Sequence, residues 1–208
     1  MCGRYDAAWP EVESSLRAVT GDARLKNLPP DGSIVCSSGE IFPSQVAAVI
    51  ANNRRMAPCA FAMQWGFRRS GQPRPLINAR AETAAVKPMF AESAKNRRCL
   101  IPLSHYYEWE VRNSGRIKHA IRPSGAGRAL LAGLYRLRPG ALPEFVVLTR
   151  PATDAIRFIH DRMPVLVAEA DARAWLDPAN TLEQLLPCAL DRVEWQEEPA
   201  QRGGDPEE

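Results

Sequence analysis

The sequence predicts an α+β fold: a single domain with a mixed, mostly antiparallel, barrel-like β core and several short flanking helices. Three observations carry this. Short strand-like runs recur along most of the chain, helical patches are few and brief, and the two do not alternate in the regular strand–helix–strand units of a doubly wound sheet. A length of 208 residues, with no internal repeat and no low-complexity linker, suits one domain with a sizeable core. The domain is expected over 2–196, with a disordered acidic tail over 197–208.

The elements are justified in order. Trp9-Pro10 ahead of Glu11-Val12-Glu13 reads as a first helix, with proline in its opening turn, where a missing N–H costs nothing. Strands are expected at 45–50, 59–67, 98–101 and 106–111. Asn113-Ser114-Gly115 reads as a hairpin turn, returning along 116–122. Further strands are expected at 129–137, 144–149 and 165–167, with Asn78 and Arg80 on one face of another. Helices are expected near Pro88, near Thr153 and across 169–176. From Gln196 the chain turns polar, and Gly203-Gly204-Asp205-Pro206 reads as disordered.

Composition excludes several classes. No apolar run approaches the ~18 residues of a membrane helix, and the start Met1-Cys2-Gly3-Arg4 lacks a signal peptide's apolar stretch. Five cysteines without a CxxC pair suggest neither a disulfide framework nor a zinc ribbon. No metal and no cofactor are expected, and a reducing cytoplasm fits.

The net charge of +3 hides an asymmetry: from Arg54 to Arg138 there are 17 Lys+Arg against four acids, a local net of +13, while the flanks carry −10. Arginine dominates, and its planar fork grips phosphate at two points. A basic middle in an acidic chain reads as a polyanion-binding face, or as an ordinary solvated surface.

Cys2 stands out by position. Once Met1 is removed, it carries an α-amine beside a thiol, with ordinary pKa values near ~8 and ~8.5. The amine can condense with an aldehyde to an imine, and the thiol can then close a five-membered thiazolidine. The alternative is an idle terminus. His160 lies in Phe158-Ile159-His160-Asp161-Arg162, where it can shuttle protons or simply pack at a helix end. His105 and His119 have no evident acid–base partner. Alternation puts Glu108 on one face with Tyr106, and Tyr107 with Trp109 on the other. A carboxyl among aromatics is desolvated and suits general acid work, unless Glu108 is simply exposed. Asn78 and Arg80 offer an amide and a guanidinium to one ligand. Trp65-Gly66-Phe67 offers aromatics for stacking on bases, or for the core.

Taken in order, the motifs Cys2-Gly3-Arg4-Tyr5, Pro43-Ser44-Gln45, Trp65-Gly66-Phe67 and Asn78-Ala79-Arg80-Ala81-Glu82-Thr83 begin a specific pattern. Lys87-Pro88-Met89-Phe90, Arg98-Cys99-Leu100-Ile101-Pro102, Tyr107-Glu108-Trp109, Leu148-Thr149 and His160-Asp161-Arg162-Met163-Pro164 complete it. The chain resembles the SOS-response-associated peptidase family, whose members sense abasic sites in single-stranded DNA. It departs from that family at Glu40, where asparagine is usual, at Phe42, usually a small residue, and at His105, usually glycine. It also lacks an Ile-Pro-x-Trp sequence after the Trp-Gly.

The resemblance implies a covalent trap for abasic sites: Cys2 becomes the N-terminus and closes a thiazolidine on the ring-opened sugar, with lyase and autoproteolytic activity alongside. It implies that Asn78 positions the Cys2 amine, Glu108 assists sugar opening and His160 moves protons at the imine stage. Arg4, Arg80 and Arg162 would hold DNA, with Trp65 beside them. The implied partner is single-stranded DNA carrying abasic sites, the protein acting as a nucleoid-associated monomer away from membranes. Two other readings stay open: a cysteine peptidase using Cys2 and His160, and a non-catalytic single-strand-binding module.

Overall fold

In the computed structural model, residues 2–199 are described apart from 30, 31, 33, 37, 114 and 126. The chain runs β1 (Arg4–Ala7), α1 (Trp9–Thr20), β2 (Val35–Cys36), β3 (Gly39–Ile41), β4 (Val46–Asn52) and β5 (Pro58–Trp65). Then come β6 (Asn78–Arg80), α2 (Ala81–Ala84), α3 (Pro88–Asn96), β7 (Arg98–Pro102), β8 (His105–Arg112) and β9 (Gly115–Pro123). The chain continues through β10 (Ala129–Arg136), β11 (Glu144–Pro151), β12 (Arg162–Pro164), β13 (Leu166–Ala168), α4 (Ala172–Leu176), α5 (Leu182–Leu185) and β14 (Val193–Glu197). It is the expected α+β domain.

The strands form two sheets. One is ordered β14-β9-β8-β1-β3; the other is ordered β12-β11-β5-β4-β7-β10-β13, with β2 on β4 and β6 on β11. Because β10 also pairs with β11, the strands β11, β5, β4, β7 and β10 close a hydrogen-bonded ring. The closure is thin: β11 meets β5 only through Glu144 beside Gln64 and Phe145 beside Trp65. The result is a ring of strands rather than a regular barrel. Its members read as apolar runs because both faces are covered; β4 is Val-Ala-Ala-Val-Ile-Ala-Asn, buried at every position but the last. Gly133 in β10 has a steric reason: a Cβ there would lie 2.8 Å from Ile101 Cδ1 and 2.9 Å from the Val146 carbonyl oxygen.

The helix α1 has the expected Pro10 in its first turn and ends at Gly21, whose φ of 85° suits glycine. It buries Val12, Leu16 and Val19. The helix expected near Thr153 is absent. Residues 152–161 instead form turns, because Pro151 pairs with Arg162 and the Ala152 N–H donates to the Asp161 carbonyl at 2.9 Å. Single helical turns do form there, with the Arg157 N–H on the Thr153 carbonyl at 3.0 Å and the His160 N–H on that of Ile156 at 3.2 Å, but they do not run on into a helix. At the other end, the polar run starting at Gln196 begins inside β14, which pairs with β9 through Trp195 beside Ile121 and reaches Glu197. The glycine-rich end of the expected tail and Ser114 of the hairpin turn lie outside the described residues. No described helix is long and apolar enough to cross a membrane.

Candidate active site

The first sheet presents its inner face to the core, and the inner residues of β1 and β8 are Tyr5, Tyr106 and Glu108, all buried. The register puts Tyr5 beside Tyr106 and Arg4 beside Tyr107. Cys2, just before β1, is fully buried. Its Sγ lies 4.0 Å from the Arg4 carbonyl, the outer limit for a sulfur donor. The second sheet supplies Asn78: β6 runs parallel to β11 with Asn78 beside Val147. From there the Asn78 Nδ2 donates to the Cys2 carbonyl at 2.9 Å. The donor fixes the amide's orientation, so Oδ1 is the remaining acceptor, buried and without a hydrogen-bond partner among the described residues.

The electrostatics follow from burial. Glu108 is 3% exposed, and burial pushes its carboxyl from the usual 4.5 up to about 7 against the pull of the positive amino terminus. Burial also pushes the Cys2 thiol well above its ordinary value, and the charge of Glu108 adds to that push. The phenols of Tyr5 and Tyr106 are raised by burial and then by Cys2. Both hydroxyls lack a partner among the described residues. Sequence reasoning did not single them out as site residues, although Tyr106 shares the Glu108 face by simple alternation.

His160 ends the turn segment. Burial, then the charge of the amino terminus, hold its imidazole below the ordinary value. Its Nδ1 accepts the Arg162 backbone N–H at 2.9 Å and lies 2.8 Å from Asp161 Oδ1. One nitrogen cannot both accept from the backbone and donate to a carboxylate. The backbone N–H is always a donor and the depressed pKa favours the neutral ring, so the ring proton is assigned to Nε2.

Arg162 places its guanidinium as a fork on Glu82, with Nη1 to Oε1 at 2.6 Å and Nη2 to Oε2 at 2.9 Å, and Nη2 also donates to the Thr149 carbonyl at 2.7 Å. The same hydrogen bonds hold Glu82 below the usual carboxylate range. Arg80 ends β6 exposed to solvent, with its backbone beside Thr149. Arg4 is elsewhere: alternation points it to the outer face with Tyr107 and Trp109, where it pairs with Glu40 at 3.2 Å.

Two expectations are corrected. Trp65 cannot stack on a base, because it is fully buried between Tyr5 (5.4 Å between ring centroids) and Phe145 (6.1 Å), with Nε1 donating to the Ile77 carbonyl. His119 does have an acid partner, Glu110, 3.0 Å from Nε2. Glu110, His119 and Glu197 bring possible ligand atoms within 4.8 Å of one another. Arg112 already lies 2.7 Å from Glu110 and 2.8 Å from Glu197, so arginine meets that negative charge. Much of the basic middle segment is likewise committed within the fold. Arg136 and Arg138 both grip the buried Glu144 at 2.7 Å, and the buried Arg98 donates to the carbonyls of Trp175 and Ala94.

Comparison with known proteins decides the family. The model for SOS response associated peptidase (SRAP) matches residues 1–199. The chain belongs to the SRAP family. Among relatives of this SRAP protein, the abasic site processing protein YoaM of Bacillus subtilis is 34% identical over 205 residues, 91% of this chain and 85% of that one. YobE of the same organism, also an abasic site processing protein, is 30% identical over 197 residues, 87% of this chain and 84% of that one. The fold is shared with a phage-related protein of Bordetella bronchiseptica, at a TM-score of 0.74 and 24% identity over 95% of this chain and 94% of that one. A protein from Bacteroides thetaiotaomicron shares it at 0.77 and 17% identity, over 96% and 93%.

Proposed function

We propose that this SRAP protein processes abasic sites in single-stranded DNA by trapping the opened sugar covalently on Cys2. What carries the reading is the convergence on Cys2: the Asn78 amide on its carbonyl, and a carboxyl with a pKa of about 7, Glu108, acting on its thiol. Relatives aligned over most of the chain are abasic site processing proteins, which supports the substrate class.

The proposed chemistry draws on Cys2, Asn78, Glu108 and His160. Removal of Met1 frees the Cys2 amine, for which the Asn78 Oδ1 is a waiting acceptor. Glu108, protonated for a large fraction of molecules near neutral pH, donates a proton to the ring oxygen as the deoxyribose opens to its aldehyde. The amine adds to C1′, and the carbinolamine loses water to give an imine. The neutral His160, with its proton on Nε2, passes protons at that stage. The thiol then adds to the imine carbon, its proton passing to nitrogen, which closes the thiazolidine with no net redox change. A protonated thiol suits this order: burial keeps Cys2 from reacting as a thiolate before the imine exists. The same property weighs against the cysteine peptidase reading, which needs a depressed thiol pKa. Lyase activity belongs to the same scheme, because an imine at C1′ acidifies C2′ and permits β-elimination of the 3′ phosphate. Arg80 and Arg162 would hold the flanking phosphates.

The test is incubation of protein shown by intact mass to begin at Cys2 with a single-stranded oligonucleotide carrying one abasic site. The expected product is a 1:1 adduct that survives heat and detergent without reductant, and is lost on Cys2→Ala or on blocking the aldehyde with methoxyamine. An adduct that persists in Cys2→Ala, or no adduct from the trimmed wild type, overturns the proposal.

A further inference from the structure

The outer face of the β14-β9-β8-β1-β3 sheet carries an arrangement that the chemistry at Cys2 does not use. Arg4 from β1 and Lys118 from β9 converge on one carboxylate, Glu40 of β3. Arg4 Nη1 lies 3.2 Å from Oε2, and Lys118 Nζ donates to Oε1. Each cation also sits over aromatic rings. The Arg4 guanidinium is 4.4 Å from the centroid of Phe42 and 4.9 Å from that of Trp109, and the Lys118 ammonium is 3.8 Å from that of Tyr107. The rings hold both cationic heads in place whether or not Glu40 is between them.

We infer that Lys118 joins Arg4, which the family resemblance already assigns to DNA, in a phosphate seat for a nucleotide next to the lesion, and that Glu40 occupies this seat in the free protein as a displaceable stand-in for the phosphate. Three observations support this. A carboxylate held by two fixed cations has the charge and oxygen placement that a backbone phosphate diester would bring in its stead. The pairs keep some contact with solvent, with side-chain exposures of 21% and 18% for Arg4 and Lys118 and 23% for Glu40, so an incoming anion can reach them. Arg4 opens β1 two residues after Cys2, about 7 Å along an extended chain, within reach of the nucleotide adjoining a sugar held at Cys2. Phe42, 38% exposed, leaves an aromatic face at the rim for a base. Glu40 thus sets the threshold for engaging a strand: it excludes weaker anions and yields to a phosphate presented by DNA already bound nearby.

The inference rests on the proposed DNA substrate, and its test separates the two. Affinity for a fluorescent, lesion-free single-stranded oligonucleotide is measured by anisotropy across a salt series for the wild type, Glu40→Gln, Lys118→Ala and the double variant, with thermal unfolding of each as a folding control. Glu40→Gln should bind about three- to tenfold tighter at low salt, the size expected from two partly exposed ion pairs. Its log–log salt slope should steepen by about 0.7, one more phosphate neutralised. Lys118→Ala in the Glu40→Gln background should remove most of that gain. Should Glu40→Gln fold poorly, Glu40→Asp, which keeps the charge but shortens the reach, should show an intermediate gain. Wild-type affinity in Glu40→Gln, or a gain that survives Lys118→Ala, overturns the inference. Either result with normal adduct formation on the abasic substrate leaves the proposed function standing. Failure of the wild type to form any adduct while Glu40→Gln still gains affinity overturns the proposed function alone.

Discussion

The Asn78 side chain donates to the backbone carbonyl of Cys2 at 2.9 Å, joining residues 76 positions apart, one just ahead of β1 in the first sheet and the other in β6 of the second. Asn78→Asp tests that bond. It keeps the size of the side chain but turns the donor into an acceptor facing a carbonyl. A buried polar group left unpaired costs about 1–3 kcal/mol. Urea unfolding should show a loss of that order, and adduct formation should slow while affinity for lesion-free DNA holds.

Glu108 makes stability and rate depend on pH in a stated direction. Its folded pKa, about 7, lies above the ordinary 4.5. The stability associated with the protonated carboxyl is therefore full below about 4.5 and is lost as pH rises through 7. The shift corresponds to roughly 3 kcal/mol. Glu108→Gln should flatten the decline in urea midpoint over that window. If the carboxyl acts as the acid in sugar opening, wild-type adduct formation should fall above about pH 7, and Glu108→Gln should be slow at every pH.

His160 works in the opposite sense. Burial holds its folded pKa below the ordinary imidazole value of 6.5, so the unfolded chain takes up a proton first. The stability tied to the neutral ring is full above 6.5 and is lost as pH falls through the folded pKa. Comparing wild type with His160→Gln at pH 5.5 and 7.5 should show the acid sensitivity reduced in the variant. Equal sensitivity in both would remove His160 as its source.

Arg162→Lys should weaken single-strand binding while leaving the log–log salt slope nearly unchanged, because a cation still meets the phosphate. Lysine keeps the charge but cannot reproduce the fork now seated on Glu82. Anisotropy titrations at several salt concentrations measure both quantities.

Gly133→Ala should destabilise the ring by about 1–3 kcal/mol, the usual cost of overpacking. The added methyl would press on Ile101, Cys99 and the Val146 carbonyl, and the last belongs to backbone that cannot step aside. Thermal unfolding reads the loss directly.

How much of this was legible in the chain depended on length scale. The strands β4, β5 and β10 and the hairpin β8–β9 carry enough residues for their period or apolar run to show, and Pro10 marks the entry to α1. The short strands β1, β3 and β12 do not. Each has only three or four residues and is defined by distant partners, as Tyr5 is by Ile41 and Tyr106. One local signal was present and went unread: Thr181 and Gln184 form a complete capping box that starts α5. Among the candidate site residues, Cys2, Asn78, Glu108 and His160 are the ones that chemistry and motifs single out in the sequence. The burial of Trp65 and the grip of Glu40 on Arg4 and Lys118 do not, because both depend on pairings between strands far apart in sequence.

The enclosure of Cys2 also sets a clock on biosynthesis. Its surroundings include Asn78 and Glu108, so the second residue cannot be sealed in until more than a hundred further residues have left the ribosome. At ~5–20 residues per second, that leaves an interval of roughly 5–20 seconds. During it Cys2 is open to solvent, and afterwards it is closed in.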